Sequence, residues 1–208
     1  MAENQNILEL IQKQLDEAKK LRHAGSNSQA LTLLKEALSL SREANFGEGE
    51  ARVLGNLGLV YKNLGLFEEA VAVLRQSIDI HRRFDRKDDL AVTLNNLGSA
   101  FADLGRMEES LQAYEDAKSI YQIIGNIKGV ATCDVFLGNA YQRLKRLEEA
   151  EEHYQSAAES YEQINDPINK GHIYANLSAL SHTRGNLNAA LEFSRKALDS
   201  YRSVKYMK

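Results

Sequence analysis

Apolar residues in this chain recur at two superimposed spacings. Within 51–62, Leu54, Leu57, Gly58 and Tyr61 are apolar or small, while Arg52, Asn56 and Lys62 fall between them. An i, i+3, i+4, i+7 spacing gathers residues on one face of an α-helix, at about 100° per residue. The same spacing returns at Leu94, Leu97, Gly98 and Phe101, and again at Leu137, Gly138 and Tyr141.

The second spacing is long. Blocks that begin at 51, 91, 131 and 171 superimpose without a gap. Leu57, Leu97, Leu137 and Leu177 align, as do Gly58, Gly98 and Gly138, with Ser178 in the last block. Ala70, Ser110, Ala150 and Ala190 form a further series, so the period is 40 residues. Residues 11–50 fit more loosely, through Ala18, Leu21, Gly25, Ala30 and Ala37. The units are 11–50, 51–90, 91–130, 131–170 and 171–208, the first and last atypical. Internal repetition at this period points to stacked supersecondary units.

Each unit predicts a helix, a break and a second helix. The break falls at Gly25, Gly65, Gly105 and Gly185, where glycine suits a left-handed C-terminal cap. Lys145 takes that place in the fourth unit and is expected to carry strain of about 1 kcal/mol. The second helix opens on Glu68-Glu69, Glu108-Glu109 or Glu148-Glu149, which suit the positive end of a helix dipole. It is expected to end near Asn45, Asp85, Gly125 and Asn165. Asp166-Pro167 reads as an N-cap followed by proline in the first turn.

The series Leu54-x2-Leu57-Gly58-x2-Tyr61 with Ala70 and Leu74 resembles the tetratricopeptide repeat. Leu94-x2-Leu97-Gly98-x2-Phe101 with Tyr114 and Ala117 does so too, as does Leu137-Gly138-x2-Tyr141 with Ala150, Tyr154 and Ala157, although Asp134 stands where a large residue is usual. The resemblance covers about 11–208. The family's usual unit is shorter and ends its second helix on proline, whereas Arg42, Arg82, Gln122, Glu162 and Arg202 hold that place here. The 40-residue form is similar to the repeats of kinesin light chains and of spindle-orienting repeat proteins. The resemblance implies an all-α fold, a right-handed α-solenoid of tandem helix-turn-helix repeats forming a single domain. In the last unit Ser178 and Ser181 replace Gly and an aromatic, and His182 and Thr183 replace other residues, so 171–208 is expected to be a C-terminal cap with a polar end.

Composition narrows the chemistry. One proline among 208 residues agrees with long uninterrupted helices. A net charge of −3 gives no reason to expect nucleic acid. The single Cys133 cannot form an internal disulfide, so a reducing, cytoplasmic setting is expected. The start MAENQNILEL has no basic region, and no run approaches membrane-helix length, so no membrane association is expected. His23, His81, His153, His172 and His182 form no metal-ligand spacing. Glu148, Glu149, Glu151, Glu152 and His153 read as a solvated helix start, and Cys133 as a packing residue in the first turn of a helix. No nucleophile–base arrangement is found. The chain is expected to be no enzyme, with no cofactor and no metal.

The remaining face of each first helix holds repeat positions 2, 5, 6, 9, 12 and 13, and the resemblance implies that it lines a ligand groove. Asn56, Asn96 and Asn176 occupy position 6, with Phe136 in the fourth unit. Asn95 stands at position 5, Asn139 at 9 and Asn63 at 13. Amides both donate and accept, so such a ladder can pair with an extended peptide backbone. A merely solvated face would carry better helix formers such as Glu and Lys. Lys19, Arg22, Arg52, Lys62 and Arg143 outnumber Asp16 and Asp103 on this face, and His172 and His182 can add charge. A basic face in an acidic protein favours acidic segments. The expected peptide-binding set is Arg52, Asn56, Lys62, Asn63, Asn95, Asn96, Phe136, Asn139, Arg143, His172 and Asn176. The carboxylate clamp of chaperone-binding relatives is not matched, since Gly55, Leu59, Thr132 and Phe136 stand at four of its places. The resemblance therefore implies a non-enzymatic adaptor for a peptide segment, and the charge count points to an acidic one. Two alternatives stand beside it: a ligand-sensing regulatory module of a larger system, and a scaffold that self-associates through its end repeats.

Overall fold

The computed structural model describes residues 2–203, in which every regular element is a helix. In chain order these are α1 (Ala2–His23), α2 (Asn27–Glu43), α3 (Gly47–Asn63), α4 (Phe67–Arg83), α5 (Lys87–Asp103), α6 (Met107–Ile123), α7 (Ile127–Arg143), α8 (Leu147–Gln163), α9 (Pro167–Thr183) and α10 (Leu187–Ser203). From α2 onward each helix has 17 residues. Among the described residues no helix is long and apolar enough to cross a membrane.

One turn closes these helices. After α3, the amide of Gly65 donates to Lys62 O at 3.0 Å and that of Leu66 to Tyr61 O at 2.9 Å. These two bonds are the Schellman pattern, and they require a left-handed residue just past the helix. Gly25, Gly65, Gly105, Gly125 and Gly185 supply it, with φ between 71° and 79°. Asn45, Asp85, Lys145 and Asn165 supply it at φ of 52°, 49°, 61° and 54°. The second helices thus end at the four expected residues. Asn and Asp tolerate this conformation through local hydrogen bonds, but Lys145 has no such means. At Asp166 the expected N-cap is present, its side chain accepting from the Asn169 amide at 3.1 Å, with Pro167 opening α9.

The chain divides into two compact units, Met1–Ala113 and Tyr114–Lys208. In the first, α1 packs on α2 and α3 on α4, while α2 meets α3 and α4 meets α5. In the second, α7 packs on α8, α8 on α9 and α9 on α10. The expected face is buried: Leu54, Leu57 and Gly58 in α3, Leu137 and Gly138 in α7. Gly58 lets its pair close up, since a Cβ there would stand 2.5 Å from Leu74 Cγ. A second buried series at repeat positions 3 and 10 escaped the periodicity: Val53 and Val60, Thr93 and Ala100, Cys133 and Ala140, Ile173 and Leu180. First helices are buried on two sides because each also packs on the preceding second helix, as the α4–α5 and α8–α9 contacts show.

Two expectations change. Cys133 lies in the second turn of α7, not the first, because α7 already begins at Ile127. The serines that suggested a polar end lie inside the last helix pair: Ser178 Oγ donates to Ala190 O at 2.8 Å, and Ser181 is buried. The outward side of α10 carries Leu187, Leu191 and Leu198, all exposed.

The turn at Lys145 is a point of stored strain. Lys145→Gly is expected to stabilise the protein by up to about 1 kcal/mol, raising the melting temperature by about 3 °C. Asn45→Gly, at a residue that already tolerates the conformation, is expected to change it by less than about 1 °C. Thermal unfolding followed by circular dichroism checks both.

Candidate functional site

In the first unit the ligand face gathers around one concavity of about 340 Å³. Lys19 and Arg22 reach it from α1, Arg52 and Asn56 from α3, Val92 and Asn96 from α5, and His81 from the end of α4. Three cations thus face a single carboxylate, Asp89, which is itself paired with Arg86 at 3.2 Å. Lys19 makes only a loose contact with Asp16, at 3.8 Å. Arg22 Nε and His81 Nδ1 are buried without a hydrogen-bond partner among the described residues. Buried polar atoms are nearly always satisfied, so two orphans beside one basic concavity mark it out. Burial pulls the His81 imidazole below its ordinary range; Asp89 and Glu48 push it back up, while Arg86 and Arg52 hold it down. The spacing of the histidines in sequence gives His81 no metal-ligand role and no place in a ligand groove. Its place here follows from α4 ending beside α3 and α5, which periodicity does not reveal.

Other expected residues of this unit are committed elsewhere. Lys62 donates to Ser99 Oγ at 2.8 Å and pairs with Asp103 at 3.6 Å, so its charge ties α3 to α5. Asn63 donates to Asn27 Oδ1 at 3.2 Å. Asn56 donates to Arg52 O in its own helix at 2.8 Å, which leaves its carbonyl oxygen for a ligand. Asn95 is a correction. It is 7% exposed and already engaged, so it is no part of an open face. The physical reason is visible one repeat earlier, where a Cβ on Gly55 would stand 3.9 Å from Thr93 Oγ1 of α5. Asn95 thus sits in a seam between helices, whereas at the same position Gly55 and Val135 are half-buried and Ala175 is exposed.

In the second unit the expected residues do not converge. Phe136 stacks on Tyr114 with ring centroids 5.1 Å apart, which accounts for an aromatic in the Asn series by packing. Asn139 accepts from Tyr154 OH at 2.6 Å, and burial pushes the Tyr154 phenol up to about 12. His172 Nδ1 bonds Tyr201 OH at 3.0 Å. Asn176 is half-buried, and Arg143 is exposed. Among the described residues no cluster of His, Cys, Asp and Glu has the makings of a metal site.

The family model of the tetratricopeptide repeat matches four overlapping stretches, 18–83, 49–123, 89–163 and 129–203. The chain belongs to the tetratricopeptide repeat family. Among curated proteins none matches it. Of solved structures, BtubC from P. vanneervenii is 18% identical over 96% of this chain and 92% of its own, with a TM-score of 0.72. A kinesin light chain-type repeat protein from Podosopora anserina is 17% identical over 93% and 96%, with a TM-score of 0.78. MamA from Desulfovibrio magneticus is 19% identical over 93% and 96%, with a TM-score of 0.66. These likenesses establish a shared fold of tandem helix pairs.

Against the tetratricopeptide pattern, Asp134 is the odd residue. Its fully buried carboxylate accepts from Lys118 Nζ at 2.7 Å and Ser156 Oγ at 2.8 Å, and bonds His153 Nδ1 at 2.7 Å. His153 therefore belongs to an interior network rather than to a solvated helix start, and Tyr141 stacks on its ring at 5.2 Å. Part of the signal was available in sequence: Asp134, Lys118 and His153 are polar where their register mates are mostly apolar, whereas Ser156 stands in a polar column with Glu36, Gln76, Asp116 and Lys196. Burial pushes the Asp134 carboxyl up, but the bonds from His153, Lys118 and Ser156 outweigh it and leave it below the ordinary carboxylate range.

Asp134→Asn is expected to cost about 2 kcal/mol, below the loss for a fully buried pair because Lys118 and His153 keep some access to water. A carboxyl lowered in the folded state stabilises above its unfolded value, about 4, and loses that contribution as pH falls through its folded value. Calorimetry is expected to show the gap between wild type and Asp134→Asn closing as pH falls below about 4.

Proposed function

We propose that this protein is a non-enzymatic adaptor that holds an extended, acidic segment of a protein partner against its first helices. The observation that carries this is the concavity of the first unit, where Lys19, Arg22 and Arg52 stand beside the amides of Asn56 and Asn96. Three cations and one already paired carboxylate give a site of net positive charge in a protein of net charge −3. A guanidinium forks onto a carboxylate, and the two amides offer donors and acceptors to a peptide backbone. Together they can seat an acidic side chain and fix the strand that carries it. Tetratricopeptide repeats serve as protein-interaction modules, which supports a peptide over a small metabolite. A cytoplasmic setting is part of the same proposal and rests on the single, buried cysteine.

The test is selection of a randomised decapeptide library on the immobilised protein. Wild type is expected to enrich Asp and Glu, and Arg52→Glu to lose that enrichment. Against a selected peptide, the double variant Asn56→Ala/Asn96→Ala is expected to bind about tenfold or more weakly, because two backbone partners are lost. Its melting temperature should stay within about 2 °C of wild type, since alanine is the better helix residue. Equal acidic enrichment by wild type and Arg52→Glu sinks the proposal.

A further inference from the structure

The outward face of α10, the last described helix, is apolar. Leu187, Leu191, Leu198 and Tyr201 are 64%, 55%, 47% and 37% exposed. At about 100° per residue they form one stripe along α10, with Ser194 in the middle. Their repeat equivalents explain the stripe. In α4 the same register holds Phe67, Val71, Ile78 and His81, and the last three are at most 4% exposed. In α8 the equivalents of Leu198 and Tyr201 are Ala158 and Tyr161, both buried. Those positions are covered by the first helix of the following repeat, as the α4–α5 and α8–α9 contacts show. α10 keeps the apolar residues of a covered position, and among the described residues no helix covers them.

The first helix shows that an end can be finished differently. Its equivalents of buried positions 3 and 10 are Lys13 and Lys20, where α3 has Val53 and Val60. Glu9, Asp16 and Glu17 complete a charged, exposed face on α1. That face cannot cover the α10 stripe of another copy, because its charges would be buried against leucine.

A second copy meeting α10 through its own α10 is disfavoured by charge. Arg195 and Arg202 run along one edge of the stripe, both exposed. Arg195 has no ion pair among the described residues, and Arg202 makes only a long contact with Asp199, at 3.9 Å. A symmetric antiparallel pair of α10 helices sets the same edge of both copies on one side of the contact, so the four arginines would line that side together. Beside the other edge, α9 adds Ala175 and Ser178 to an apolar groove of about 300 Å³.

We infer that this groove docks an amphipathic helix of a partner protein, with aliphatic residues on its buried face and Asp or Glu along the flank that meets Arg195 and Arg202. Apolar burial supplies the attraction, and charge selects the partner. The surface is separate from the concavity of the first unit and does not depend on the function proposed for it.

The probe is a pair of synthetic 20-residue helical peptides with leucine on one face, one flanked by glutamate and one by lysine. Fluorescence anisotropy is expected to show the glutamate peptide binding wild type at least tenfold tighter. Leu191→Asp/Leu198→Asp should abolish binding while leaving the circular dichroism spectrum unchanged. Arg195→Glu/Arg202→Glu should reverse the preference, which general stickiness would not do, and Arg52→Glu should leave it as in wild type. Equal binding of both peptides, no binding of the glutamate peptide, or binding untouched by the double aspartate variant overturns the inference. So does a wild-type dimer in sedimentation velocity that Leu191→Asp dissolves, since the occupant would then be a second copy.

Discussion

A left-handed residue every twenty positions is the constraint on which the rest of this structure depends. From Gly25 to Gly185 it closes each helix in the same way, with two hydrogen bonds that use up the last free carbonyls. Because the turn leaves no spare residues, each helix from α2 onward has the same length, and each side chain returns to the same environment forty residues on. Glycine meets the requirement at no steric cost. Asn45, Asp85 and Asn165 meet it at small cost, and Lys145 meets it only because the packing of α7 on α8 outweighs the strain.

That regularity decides which residues are free for binding. A first helix packs on its own partner and on the second helix before it, and neighbouring first helices approach at position 5. What stays open is a narrow strip around positions 2 and 6, where Arg52, Asn56 and Asn96 stand. The concavity between α1, α3 and α5 has its depth because His81 closes it at the end of α4. A buried imidazole held neutral leaves the charge of the site to the arginines and Lys19 around it.

Departures from the repeat carry the individuality of the protein. Asp134 puts a carboxylate at an apolar core position, Lys118 and His153 depart from apolar columns to meet it, and Ser156 adds a third bond, so the buried charge is satisfied from several directions. Such a network specifies one packing arrangement, because no apolar neighbour can stand in for it. The faces of α1 and α10 depart in opposite senses. α1 turns charges outward, whereas α10 turns out leucines in the register of a covered helix.

The period, the helix pairs, the turn residues and one core face were all legible in the chain, because each follows from local chemistry. Left-handed φ selects Gly, Asn or Asp, and a helix shows its buried side as a spacing. The family followed from the same residues. The sites did not follow as directly. Register alone put Asn95 and Lys62 on the same open face as Asn96, yet one is buried in a seam and the other is spent on Ser99 and Asp103. His81 entered the concavity and Phe136 left the Asn ladder for Tyr114 through contacts with neighbouring helices, which the spacing within one helix does not show. By itself the sequence determined which elements form and how they repeat, since those depend on neighbours within one or two turns. Only the tertiary structure decided which polar groups remain unpaired, since that depends on what another helix brings against them.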